Sequence, residues 1–199
     1  PQRCVIIGAA LEDITAVQIL QNTRSFIKNL DEEIWKSFCD HFFYERHNIK
    51  SADDYHLLKQ KVLILEKKFN LSGNRIIYCA VAASLYCELT NQVAQSGIAV
   101  RTDAKSPYWH RIVYEKPFGH NTASAHEINT CIAQHFNESQ VYRIDHYLTK
   151  EVVSNITLIR FTNIVFEPLW NSRYIDQVQI ILSEDVGIEG RGAYYDAYG

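Results

Sequence analysis

Methionine is absent from all 199 residues, and the first residue stands two positions from an apolar run typical of a core strand, so the sequence reads as an excerpt of a longer one. The other end, "GRGAYYDAYG", has neither a polar tail nor a helix cap. No apolar run approaches the roughly 20 residues of a membrane span, and no signal peptide opens the chain. An excess of one charge is also missing. With 20 Lys and Arg against 23 Asp and Glu, a net charge of −3 and scattered basic residues, the chain offers no footprint for nucleic acid or an anionic membrane. Cysteines are few, odd in number and widely spaced: Cys4, Cys39, Cys79, Cys87 and Cys131 form no CxxC pair, and no His-x-x-x-His accompanies them, which excludes the usual zinc patterns. Three lie among apolar residues in "RCVIIG" and "IIYCAVAASLYC", which predicts buried thiols, a reducing compartment and a cytoplasmic protein. Asn70, Asn137 and Asn155 open sequons that such a chain would not use. His110, His120 and His126 read as solvated rather than as a metal set, because His120 and His126 do not share a helix face. No metal is expected.

What is present is an ordinary globular composition, 47% hydrophobic and 22% charged, long enough for one large domain or for one domain and the start of another. "CVIIG" ends a β-branched run in Gly8 and suits a buried parallel strand. Helix-prone sequence follows in "EDITAVQILQNTRSFIKNL", "DEEIWKSFCDHFFYERHN" and "SADDYHLLKQKVLILEKKF", the last capped by Ser51 or Asp53. "NRIIYCAV" and "HRIVYEKPFG" restore strands, while "SLYCELTNQVAQSG", closed by Gly97, and "NTASAHEINTCIAQHF" are helical. Strand and helix alternating in this way predict an α/β fold, a doubly wound parallel sheet, with ligands at the carboxyl ends of its strands. Gly8, Ala82 to Ser84 and Glu115 to Gly119 are expected there. Beyond Asp145 the character changes. "KEVVSNITLIRFTNIVFEPLWN" begins as a helix, and "YIDQVQIILSEDVG" alternates Val178, Ile180 and Leu182 with Gln177, Gln179 and Ser183, predicting a strand with one buried face. A domain boundary is placed near Asp145, with residues 1–145 before it and the beginning of an α+β domain at 146–199.

"RIDHYLTKE" concentrates an acid, an imidazole, a phenol and a lysine in nine positions. If Asp145 caps a helix starting at His146, then His146, Tyr147 and Lys150 share its first turn, where backbone N–H groups and the helix dipole favour an anion such as a phosphate ester. From spacing alone, a solvated first turn with a chance collection of polar groups fits equally well.

"EKPFG", "ESQVYRIDHYLTKE", "RFTNIVFEPLWN", "YIDQVQIILSE" and "EGRGAYYD", in that order, resemble the glucose-6-phosphate dehydrogenase family, nearly continuously from His110 to Gly199 and more weakly from Val5 to Ser84. The resemblance implies a Rossmann-type domain that binds NADP or NAD, and oxidation of glucose 6-phosphate to its lactone. It implies that His146, Tyr147 and Lys150 bind the substrate phosphate, that Lys150 also lies near the reacting sugar, and that Asp145 orients a catalytic histidine. It places Lys116 between sugar and nicotinamide, Pro117 after a cis peptide bond, and Glu184 and Asp196 on sugar hydroxyls. Gly8 and Pro117 join Lys116 on the coenzyme side. Without the resemblance, Lys116, Glu184 and Asp196 read as ordinary surface charges, Pro117 as a strand terminator, and Gly190 and Gly192 as turn residues.

The sequence also departs from the family. Val5 to Gly8 corresponds to the family's second strand, so the first strand and its glycine-rich pyrophosphate turn are expected outside these residues, as is the histidine general base, beyond Gly199. Leu11 stands at or beside an arginine that usually meets the 2′-phosphate of NADP, which leaves NADP and NAD both open. "AVAAS" replaces a segment that commonly carries proline, and Thr149 replaces a common glycine. The expected partners are glucose 6-phosphate and, for the full-length protein, a second copy of itself. The competing expectation is a degenerate relative that binds sugar phosphate or serves as a structural subunit without catalysis.

Overall fold

The computed structural model describes residues 4–146 and 150–181, together with 187, 188, 190, 192 and 196. Eleven regular elements lie within the described residues: β1 (Ile6–Ala10), α1 (Ala16–Arg24), α2 (Glu32–Asp40), β2 (Phe42–Arg46), α3 (Ala52–Lys68), β3 (Arg75–Cys79), α4 (Tyr86–Ser96), β4 (His110–Glu115), α5 (Thr122–His135), β5 (Val141–Ile144) and α6 (Glu151–Thr162). All strand pairs are parallel: β1 with β2, β3 with β4, and β4 with β5. Parallel neighbours require crossover connections: α1 and α2 link β1 to β2, α4 links β3 to β4, and α5 links β4 to β5, while α3 leads from one pair of strands to the other sheet.

The helices begin and end where local chemistry dictates. Ser51 accepts from the Asp54 N–H at 3.2 Å to open α3, and Asn121 and Ser124 form a reciprocal capping box on α5. Gly97 closes α4 with φ +71°, a conformation that disfavours any side chain. The core lies on one face of β3–β4–β5, beneath α3, α4 and α5, and is built from Cys79, Tyr86, Leu89, Ile112, Tyr114 and Ile132 among others. Strand β4 shows why only that face is covered: His110, Ile112 and Tyr114 are buried while Arg111 and Glu115 face out. Tyr114 brings a hydroxyl into this core, where it meets the Thr90 hydroxyl at 2.7 Å. The Arg75 guanidinium is held at the amino end of β3 by both oxygens of Glu66, 2.8 and 2.9 Å away, and by the Ile98 carbonyl at 2.6 Å.

Several expectations change. The stretch read as continuing helix after Asp40 contains β2, because Phe42 to Arg46 pair residue by residue with Ile6 to Ala10. The parallel α/β arrangement is as expected, with β1–β2 and β3–β4–β5 as separate ladders and a cleft of about 800 Å³ between their facing edges. Residues 175–181 form no strand, and Val178, Ile180 and Ile181 are exposed. His110 is buried rather than solvated, since its Nδ1 accepts the Val100 N–H at 2.9 Å. Of the three cysteines expected to be buried, Cys79 is, Cys87 is half-buried and Cys4 is exposed. All five cysteines are free.

Candidate functional site

The carboxyl ends of β4 and β5 are brought level by their register, in which Glu115 pairs with Ile144. The next residue along each strand is Lys116 and Asp145, so two charges separated by 29 positions in sequence emerge side by side and form a salt bridge. Asp145 is the more sheltered partner, with its side chain 23% exposed against 55% for Lys116. The chain then turns away through a cis peptide bond between Lys116 and Pro117. Gly119 completes that turn at φ +90°; a Cβ there would stand 2.6 Å from the Ser124 hydroxyl and 2.7 Å from the Ala125 nitrogen, so the loop presses against the first turn of α5.

Strand β3 ends beside this pair. Tyr78 donates its phenol to the Glu115 carboxylate, and that hydrogen bond, followed by desolvation and the carboxylate's charge, raises the phenol above its ordinary pKa of 10.0. Tyr86, at the start of α4, donates to the Glu115 carbonyl at 2.7 Å and fixes the strand end from below. Sequence reasoning singled out neither tyrosine, although Tyr78 stands at the predicted end of a strand in "RIIYC". Between β3 and α4 the small residues Ala80, Ala82 and Ser84 are exposed and leave the backbone open to approach.

The second half of the cluster differs from the expected capped helix. Asp145 pairs with Lys116, His146 follows it, and α6 starts at Glu151 with Lys150 as its N-cap residue. Lys150 caps through its backbone alone, its carbonyl accepting from the Val153 and Ser154 N–H groups. His146 and Lys150 are exposed, as is Asp196. Tyr147 and Glu184 lie outside the described residues. Gly8 is placed in the middle of β1, two residues short of its carboxyl end, where the Tyr44 ring comes within 3.2 Å of the position a Cβ would take. No group of three or more His, Cys, Asp or Glu among the described residues could hold a metal ion.

Parallel strands joined by helices, with charged and small residues gathered at the carboxyl ends, define a domain of the dinucleotide-binding α/β class. Two adjoining family models sharpen this: "Glucose-6-phosphate dehydrogenase, NAD binding domain" matches residues 1–155, and "Glucose-6-phosphate dehydrogenase, C-terminal domain" matches residues 157–199. The chain belongs to the glucose-6-phosphate dehydrogenase family. It is 34% identical over 194 residues to the glucose-6-phosphate 1-dehydrogenase of Bacillus subtilis, covering 98% of this chain and 39% of that protein. It is 37% identical over 175 residues to that of Chlamydia trachomatis, covering 88% and 40%. A solved glucose-6-phosphate dehydrogenase in complex with its substrate glucose-6-phosphate superposes with a TM-score of 0.81 at 29% identity, covering 98% of this chain and 40% of that one. The enzyme from Mycobacterium avium superposes at 0.71, also with 29% identity, covering 98% and 41%. This chain thus spans about 40% of the length of the relatives it matches.

Proposed function

We propose that these residues form the coenzyme domain and the beginning of the substrate domain of a glucose-6-phosphate dehydrogenase, which oxidises glucose 6-phosphate to 6-phosphogluconolactone, the first step of the oxidative pentose phosphate pathway. The observation that carries this reading is the Lys116–Asp145 pair at the adjoining carboxyl ends of β4 and β5. Within the longer protein, Asp145 holds the catalytic histidine in one tautomer and stabilises its cation while it accepts the sugar hydroxyl proton. Lys116, half-exposed above the strand ends, stands between sugar and coenzyme. Lys150 and His146 supply charge and directed hydrogen bonds to the substrate phosphate beside the start of α6, and Tyr147, Glu184 and Asp196 complete the sugar pocket.

The residues present fit a nicotinamide dinucleotide. The exposed small side chains of Ala80, Ala82 and Ser84 let its flat and phosphate portions approach the backbone, and Lys116 and Pro117 border it on the β4 side. When bound, NADP or NAD accepts the hydride. Gly8 contributes through strand packing against Tyr44, and the exposed Leu11 beyond β1 offers no charge to a 2′-phosphate. The protein is cytoplasmic and self-associates at full length under this reading; among the described residues, no helix is long and apolar enough to cross a membrane.

Leu11 also favours a second reading, a relative that binds sugar phosphate without turnover. Calorimetry tests the pocket common to both. Glucose 6-phosphate should bind the chain, and Lys150→Ala should weaken it about tenfold or more, as loss of a charge-assisted contact requires. Equal affinity in the two proteins contradicts the assignment of Lys150.

A further inference from the structure

The loop that leaves β1 is tied to β2 by two side chains. The Tyr44 hydroxyl donates to the Glu12 carbonyl at 2.8 Å and reaches that of Ala10 at 3.2 Å, while Arg46 Nε donates to the Leu11 carbonyl at 3.3 Å. The strand register makes this reach possible, because Ala10, the last residue of β1, pairs with Arg46, the last of β2. A guanidinium therefore rests against the backbone of Leu11, the residue whose own side chain brings no charge to this end of the sheet. Both residues are exposed.

On a dinucleotide-binding sheet the adenosine ribose lies beyond the strand that follows the glycine-rich turn and its helix. An acid there takes the 2′-hydroxyl of NAD, or an arginine nearby takes the 2′-phosphate of NADP. Strand β1 corresponds to that strand, and both kinds of group stand at its end: Arg46 on the neighbouring strand, Glu12 and Asp13 within the loop. They are not equally prepared. The Nε bond fixes the plane of the Arg46 guanidinium, and among the described residues no salt bridge claims its terminal nitrogens. Glu12 and Asp13 act by charge on the Tyr44 hydroxyl, as Arg46 does, and Arg46 acts on Asp54, yet none of these three acids forms a salt bridge with it. No hydrogen bond among the described residues holds the Glu12 or the Asp13 carboxylate. Only the cation is preorganised.

We propose that Arg46 binds the 2′-phosphate of NADP and supplies from β2 the charge that Leu11 lacks at the end of β1. Its two terminal nitrogens form the planar fork that matches a pair of phosphate oxygens, while Nε stays on the Leu11 carbonyl. NADP is then preferred to NAD, which offers a neutral hydroxyl where NADP offers an anion. This selection rests on the coenzyme reading given above, to which it adds the coenzyme preferred and the residue that selects it.

Calorimetric titration of the full-length protein with NADP and with NAD, which differ only in the 2′-phosphate, tests it without turnover. The wild type should bind NADP about tenfold or more tightly than NAD, as a charge-assisted bidentate contact requires. Arg46→Ala should weaken NADP by about tenfold or more and NAD by less than about threefold, and the NAD titration shows that the variant is folded. Leu11→Arg added to Arg46→Ala, at a position 61% exposed, should restore the preference for NADP by returning a guanidinium to the same loop. NAD bound as tightly as NADP, equal losses of both coenzymes in Arg46→Ala, or no recovery on adding Leu11→Arg overturns the assignment of Arg46 and leaves the coenzyme reading standing. Binding of neither coenzyme by the wild type overturns that reading and this selection together.

Discussion

At the scale of single residues, burial sets reactivity and pH response. Cys79 is fully enclosed, and desolvation pushes its thiol up to about 12, whereas Cys4 is exposed. Alkylation of the native chain at pH 8 should therefore modify Cys4 rapidly and leave Cys79 unmodified until the protein unfolds, as peptide mass mapping will show. His47 and His110 are 5% and 3% exposed, and burial is the main reason that both are held below the ordinary value of 6.5, with Asp54 partly opposing at His47. Between the lowered folded values and 6.5 the unfolded chain binds more protons, so stability rises with pH through that window and is lost as pH falls below about 6.5. Urea unfolding across pH 5 to 8 should show this slope. His110→Asn, which keeps an acceptor for the Val100 N–H, should flatten it. The Asp54 carboxylate is held low chiefly by the Asn48 N–H, then by the Ser51 hydroxyl, so its contribution is full above about 3.8 and fades only below that, as pH falls through its lowered folded value.

At the scale of elements, two positions carry more than their size suggests. Glu66 provides the only carboxylate on the Arg75 guanidinium among the described salt bridges, and both side chains are largely buried, 15% and 13% exposed. Glu66→Ala should cost about 3 kcal/mol in urea unfolding, because removing one partner strands the other charge. Gly119→Ala meets both a left-handed backbone and the first turn of α5; it should destabilise by more than about 1 kcal/mol, and a loss indistinguishable from zero would contradict the loop's tight packing. Most elements were legible in sequence because their signals were local: the Ser51 cap, the Gly97 stop, and the β-branched runs of β1, β3 and β4. Strand β2 was not, since "HFFYER" prolongs an amphipathic helix pattern and becomes a strand only by pairing with β1. The Asp145 pairing was not legible for the same reason. Its partner, Lys116, is distant in sequence and near only once β4 and β5 are in register. The alternation in residues 175–181 was real, yet alternation supplies no neighbouring strand.

At the scale of the whole molecule, the contacts among Tyr78, Glu115, Lys116 and Asp145 are assembled from the ends of β3, β4 and β5, so their geometry depends on the sheet more than on any one motif. The motif "RIDHYLTKE" identifies the family through its residues, whereas the sheet explains why Lys116 meets its Asp145. The central claim, that these residues belong to the working centre of a glucose-6-phosphate dehydrogenase, is tested most directly by exchanging them for the matching 39% of the Bacillus subtilis relative and measuring coenzyme reduction with glucose 6-phosphate. The chimera should reduce NADP or NAD, and Lys150→Ala within it should lower kcat/KM by about 10² or more. A folded chimera that binds glucose 6-phosphate but reduces neither coenzyme, or one whose turnover ignores Lys150→Ala, would contradict the account.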